Sequence, residues 1–274
     1  MRTRQGLVAQ TLVATLLVAQ ALAARASADA PPGVDRFDTV VIDAGHGGED
    51  EGAKGPRGAL EKDVVLDVAS RLAKRLRGRG LRVVLTRDSD HFVPLERRTA
   101  IANDARGDLF VSIHANAARD RGARGVETYF LSLDATDEAA ARVAERENGA
   151  FRRSGADAAP VGDPVVAILG NLMANEHLSE SSAFARMAQA SLANGDSRAS
   201  RGVKQAPFVV LVGLQMPASL VEVGFITNRQ DEARLRTGAG RERIAQELAT
   251  AILDYGRRYD TLRGVEGAAS KEGT

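Results

Sequence analysis

Short apolar runs alternate with amphipathic stretches along nearly the whole chain after Phe37, and that alternation leaves few folds open. Runs at 38–43, 81–86, 109–114, 125–131, 207–212 and 218–223 are bounded by Gly or small polar residues and read as short buried strands. Segments 61–78, 95–106, 137–148 and 241–258 read as helices. The first is the best marked. Val64, Val65, Leu66, Val68, Leu72 and Leu76 recur at helical spacing, and Gly78 and Gly80 end it. Strands separated by helices of this length predict a single α/β domain, with a mostly parallel, twisted sheet of about six strands flanked by helices.

Residues 149–206 break the rhythm. They hold no convincing strand and begin with a small, polar run from Gly149 to Pro160. A helical segment is expected from Asp163-Pro164 through Ile168, Leu169, Leu172 and Met173 toward Phe184 and Met187, since Asp before Pro starts helices well.

The ends are of a different kind. Residues 1–28 read as a secretory signal peptide: Arg2 and Arg4, then an uncharged apolar stretch from Gly6 to Ala24, then Ala26-Ser27-Ala28 as a cleavage site. Gln10, Thr11, Thr15 and Gln20 interrupt the stretch and weaken a transmembrane reading, and no Cys is present to carry a lipid anchor. An exported protein without a membrane anchor is therefore expected. Residues 29–36 read as a linker, 37–260 as the single folded domain and 261–274 as a disordered tail. Without its three leader arginines, the chain keeps 34 of its 37 Lys and Arg against 36 Asp and Glu, a net of −2. That balance argues against nucleic-acid binding. Zero Cys excludes disulfides and thiolate metal sites.

Within this frame, two of the four histidines end apolar runs: His46 in Val40 to Gly48, and His114 in Leu109 to Asn116. Ligands bind outside the carboxyl ends of strands in open α/β sheets, where both imidazoles would project. Either alone could be a packed or capping histidine; the pair predicts a shared metal site. An open zinc site wants a third N or O ligand, for which Glu61, at the start of the first helix, is the best candidate. Glu49, Asp50 and Glu51 are rivals in a Gly-rich loop that is expected to face water. Glu222, inside Ala218 to Asn228, is a carboxylate in an apolar run, costly to bury unless paired or functional. It reads as a general base beside the metal or as the partner of an Arg or a helix end; Glu127 is the next candidate for the base.

The strings DAGHGG at 43–48, SIHAN at 112–116 and VEVGFITN at 221–228 resemble the zinc-dependent N-acetylmuramoyl-L-alanine amidases (cell-wall amidase family 3, cell-separation type). ALEKD at 59–63, LTR at 85–87, LERRTAIAN at 95–103 and GVETYF at 125–130 extend the match over most of 38–258. The resemblance implies a phosphorylase/hydrolase-like fold, one zinc held by His46, Glu61 and His114, and Glu222 as the catalytic glutamate. It implies a peptidoglycan substrate cut between the N-acetylmuramic acid lactyl group and L-alanine, in the periplasm, during daughter-cell separation. It further implies that the helix in 149–206 is a regulatory insertion that covers the cleft until a LytM-type activator removes it. Glu176 is the acid expected to take the open zinc position, with Glu180 and Glu147 as alternatives. A monomer is expected; the substrate-binding residues are not legible. The rivals are another zinc peptidoglycan hydrolase of carboxypeptidase or deacetylase type, disfavoured because no HExxH is present, and a non-catalytic peptidoglycan-binding module. Muropeptide digests separate the first; turnover separates the second.

Overall fold

The computed structural model describes residues 36–149, 176–193 and 200–265. Phe37–Arg258 form one compact unit. Of the other unit, Arg36 and Tyr259–Val265 are described; there the Arg263 guanidinium lies 3.6 Å from the centroid of the Tyr259 ring. The elements run β1 (Thr39–Ala44), α1 (Glu61–Arg77), β2 (Arg82–Leu85), α2 (Leu95–Asp104), β3 (Leu109–Asn116), β4 (Val126–Leu131), α3 (Glu138–Glu147), α4 (Glu176–Ala193), β5 (Ser200–Ala206), β6 (Ala218–Phe225), α5 (Arg229–Leu235) and α6 (Gly238–Leu262).

The strands form one sheet in the order β2-β1-β3-β6-β4-β5. β2, β1, β3 and β6 are mutually parallel; β4 runs antiparallel to β6 and parallel to the edge strand β5. The expected α/β sheet of six strands is present, with two strands reversed. Every residue of β1, β3 and β6 is buried, which is why these strands read as continuous apolar runs instead of alternating ones.

Two local expectations fail. Residues 207–212 are not a strand: Val209–Leu211 form a 3-10 turn whose Val210 and Leu211, with Phe208, join the core under Leu95, Ala102, Ala140 and Val143 of α2 and α3. The sixth strand is instead β5, inside the stretch that held no convincing strand. It is polar (SRGVKQA) because an edge strand is half solvated. Residues 150–175, which carry most of the expected regulatory helix, lie outside the described residues, as do the signal peptide and most of the tail.

The rest of the insertion belongs to the fold. α4 packs on β4, β5 and β6, with Phe184, Ala185 and Ala188 fully buried. Ser181 Oγ accepts from Ala218 N, and Gln189 accepts from Thr128 Oγ1 and donates to Val126 O. Thr128 faces α4 whereas its neighbour Tyr129 lies in the α2/α3 core, so α4 covers the opposite face. On that side α1 packs its own stripe (Val64, Val65, Val68, Leu72, Leu76) against β1, β2 and β3.

Candidate metal centre

β1 ends in a loop that the backbone alone would not hold. His46 has φ 59°, a left-handed conformation uncommon for a residue with a Cβ, and Gly47 and Gly48 follow at φ 122° and 59°. Two buried arginines clamp this turn. Arg98 donates to Asp43 Oδ1 (2.7 Å), Ala44 O (2.6 Å) and His46 O (2.8 Å). Arg87 donates to Ala44 O (2.9 Å), Gly45 O (2.7 Å) and Lys62 O (2.9 Å), the last already in α1. Gly45 has no alternative, since a Cβ there would lie 2.3 Å from His114 Cε1. The doubled-back loop returns Asp50 onto the histidine: Asp50 Oδ2 lies 3.0 Å from His46 Nδ1, and Asp50 is buried. The expectation that the loop acids face water is wrong for Asp50, which orients the ring as outer-shell carboxylates orient metal-binding histidines.

That contact aims His46 Nε2 inward, 3.1 Å from Glu61 Oε1 and 3.2 Å from Glu147 Oε2. His114 presents Nδ1 to the same two oxygens, at 3.2 Å and 2.9 Å. Ligand atoms of His46, Glu61, His114 and Glu147 all lie within 4.8 Å of one another, the only such grouping that could hold a metal among the described residues. Glu61 is pinned by backbone donors, with Ala115 N on Oε1 (2.9 Å) and Ala53 N on Oε2 (2.8 Å). The cluster thus brings together the three expected ligands and adds Glu147, from the C-terminal turn of α3. The side chain of Glu176 lies outside the described residues; Glu180 is engaged elsewhere, accepting from Tyr255 and Arg258.

The electrostatics fit a cation. Burial opposes protonation of His46, but the Glu61 charge and the nearby Asp50 and Glu147 outweigh it and hold its pKa well above the ordinary imidazole value. Burial likewise opposes protonation of His114, yet Glu147 and Glu61 raise it to about 9. The same attraction overcomes burial at Glu61, lowered to about 2. His46 Nε2 and Glu147 Oε2 are nonetheless buried without a well-aligned hydrogen bond, so a central cation would satisfy both. An all-N/O donor set of two imidazoles and two carboxylates suits a tetrahedral divalent ion such as zinc.

Glu222 stands beside the cluster by register: it pairs with His114 across β3·β6 and with Glu127 across β4·β6. It is fully buried, and neither carboxylate oxygen has a hydrogen bond. Burial, reinforced by the Glu147 charge, raises its pKa well above the carboxylate range against the opposing pull of Arg146. Glu127, by contrast, is paired on both oxygens. Its Oε1 accepts from Arg201 (2.8 Å) and Lys204 (3.1 Å), its Oε2 from Asn116 (2.7 Å) and Tyr129 (2.8 Å). Sequence reasoning passed over Arg146, which donates to Glu147 Oε1 (2.7 Å), Ala117 O (2.6 Å) and Asn116 Oδ1 (3.1 Å) and lies 3.5 Å from Glu222 Oε1.

Comparison with known proteins points to one family. The family described as N-acetylmuramoyl-L-alanine amidase matches residues 40–254. The amidase AmiA of Escherichia coli (strain K12) is 36% identical over 225 residues, covering 82% of this chain and 78% of that protein. AmiC of E. coli O6:H1 is 35% identical, covering 81% of this chain and 54% of its own length. Among solved structures, the amidase AmiC2 of Nostoc punctiforme superposes with a TM-score of 0.61 at 32% identity, over 81% of this chain and 98% of that one. With its fold, its family match and its His/Glu cluster in accord, the chain belongs to the N-acetylmuramoyl-L-alanine amidase family.

Proposed function

We propose that this chain is an exported, zinc-dependent peptidoglycan amidase that hydrolyses the bond between the muramic lactyl group and L-alanine, and that it works in the periplasm at daughter-cell separation. The observation that carries the reading is the convergence of four N/O ligand atoms within 4.8 Å, next to a buried carboxylate with no hydrogen-bond partner. His46, Glu61 and His114 would hold the ion. Zinc, when bound, supplies Lewis acidity toward the amide carbonyl and makes water a nucleophile near neutral pH. Glu222, buried and in register with His114, takes the proton from the attacking water and passes it to the departing amine. Among the described residues, no helix is long and apolar enough to cross a membrane. The test is digestion of purified sacculi by the zinc-loaded protein. Free lactyl acid and intact stem peptides beginning with L-alanine are expected; glycan deacetylation or loss of C-terminal residues would overturn the reading in favour of the deacetylase or carboxypeptidase.

The resting state is autoinhibited in this proposal, with Glu147 in place of Glu176 as the acid at the fourth ligand position. Two contacts support the change: Glu147 Oε2 lies 2.9 Å from His114 Nδ1, and Arg146 beside it reaches the Glu222 carboxylate. One helix end would thus take the fourth ligand position and set a guanidinium 3.5 Å from the base. An activator of LytM type would act by binding the form in which this turn has withdrawn. Glu147→Ala should raise basal hydrolysis by about tenfold, a shift of about 1.4 kcal/mol in the resting equilibrium. Unchanged basal activity with zinc retained would remove Glu147 from control. A deletion built for the same purpose should stop before α4, whose Phe184 and Ala188 are core.

A further inference from the structure

Beyond the metal cluster, the connections that leave the site's own strands enclose a second feature. A groove of about 650 Å³ is lined by Pro56, Arg121, Arg124, Asn228, Arg229 and Gln230, among others. Pro56 belongs to the loop between His46 and Glu61. Arg121 and Arg124 follow β3, which carries His114. Asn228 to Gln230 follow β6, which carries Glu222. All three segments therefore emerge at the carboxyl ends of the strands, the ligand-binding end of such a sheet.

These loops are stapled to one another and to the metal ligands. Asn228 Nδ2 donates to Arg121 O (2.8 Å), and Ala118 N donates to Thr227 Oγ1 (3.1 Å). The buried Glu232 accepts from Arg57 N (2.7 Å) and Ala59 N (3.4 Å), while Ala53 N at the other end of that loop donates to Glu61. The groove is thus held in a fixed relation to the reacting centre.

Its charge is unspent. Arg121 and Arg229 are exposed, as is Arg124, and none of the three is paired with a carboxylate among the described residues. Arg121 meets only Thr227 O, at 3.5 Å, and Arg124 meets the amide oxygen of Gln230. The larger groove between α1 and α6 offers a contrast. It is also arginine-rich, but Arg71 and Arg75 there are neutralised by Glu242, and Arg71 also by Asp67. An open guanidinium cluster at the ligand-binding end of the sheet selects planar anions, above all carboxylates held bidentately.

We infer that this groove is the subsite for the stem peptide on the amine side of the cleaved bond, and that Arg121, Arg124 and Arg229 bind its carboxylates. The inference rests on the amidase reading. On that reading the sugar side of the bond is uncharged, whereas the residues after L-alanine carry carboxylates, so a cationic groove fixes which way the substrate lies.

The experiment titrates the zinc-loaded full chain with the tripeptide L-alanyl-γ-D-glutamyl-diaminopimelate, and with the same peptide amidated at its carboxylates. The wild type should bind the free acid about tenfold more tightly than the amide, and Arg121→Gln/Arg124→Gln/Arg229→Gln should shrink the preference to within about twofold, with zinc content and thermal midpoint unchanged. On muropeptides the triple variant should lose about tenfold in kcat/KM, through KM and not kcat. If the triple variant does not fold, the three single substitutions are measured, and each should lower the preference. A wild type that does not distinguish acid from amide, or variants that keep the full preference, would overturn the inference. Failure of the amidase reading looks different: the peptide preference would stand while no lactyl acid is released from sacculi, even by Glu147→Ala.

Discussion

Arg98→Met tests the clamp under the metal loop, because Met keeps the unbranched apolar stem of the side chain and removes all of its donors. Arg98 is 1% exposed and makes four short contacts: Asp43 Oδ1, Ala44 O, His46 O and Val93 O. Removing one partner of a buried ion pair costs about 3–5 kcal/mol, since the remaining charge is left uncompensated. The structure sets the lower half of that range. Asp43 keeps hydroxyl donors from Thr86 (2.6 Å) and Ser112 (2.7 Å), and Ala44 O keeps Arg87. His46 O and Val93 O have no such reserve, and a buried carbonyl without its donor costs about 1 kcal/mol or more. A loss of about 3–4 kcal/mol is therefore expected, which lowers the thermal midpoint by roughly 6–16 °C for a domain of this size. Urea unfolding of the metal-free chain reads this directly. Because His46 holds its left-handed conformation against strain, zinc affinity should also fall by about 10–100-fold, the usual effect of losing an outer-shell partner. A double-mutant cycle with Asp43→Asn separates the pair from the carbonyls, and the double variant should cost about 1–3 kcal/mol less than the sum of the singles. A loss below about 1 kcal/mol for Arg98→Met, or strict additivity, would refute the clamp.

Other outcomes follow from the same geometry. Glu222→Gln should keep its zinc while kcat falls by about 10² or more; wild-type rates would move the base elsewhere. Gly45→Ala should lose zinc and stability together, because its Cβ would meet the His114 ring at 2.3 Å; a variant with full metal content by mass spectrometry would contradict the packing. Asp43 has its carboxyl pKa lowered: burial raises it, but the Arg98 charge and the Thr86 and Ser112 hydroxyls prevail. Its folded pKa lies below the unfolded one, so it contributes stability above about pH 4 that is lost as pH falls through the folded value. Arg98→Met should then move acid unfolding to higher pH, and an unchanged acid midpoint would place the sensitive group elsewhere. Chelation should lower the thermal midpoint of the wild type, with recovery on adding zinc, because an ion that binds only the folded chain stabilises it; no change on chelation would argue that no ion is bound.

The sequence by itself determined the parts of this protein that depend on near neighbours along the chain. β1, β3 and β6 are buried on both faces, so each had to be an unbroken apolar run, and a histidine or glutamate within such a run stands out. His46, His114 and Glu222 were legible for that reason, α1 by its apolar stripe, and Glu61 by its place at the start of α1. Only the tertiary structure decided what depends on distant segments meeting. β5 is polar because it is an edge, whereas Val209–Leu211 are apolar because they roof a core built by α2 and α3. No local pattern distinguishes those cases. Asp50 reads as a solvated loop acid until two glycines at positive φ turn it back onto His46. Glu147 stands in the sequence only as an alternative to Glu176 for the acid at the open zinc position, and becomes the fourth member of the cluster because the buried last turn of α3 brings it to His46 and His114. An amino acid's pattern reports whether it will be buried; which charge it is buried beside is set by the crossing of strands far apart in sequence.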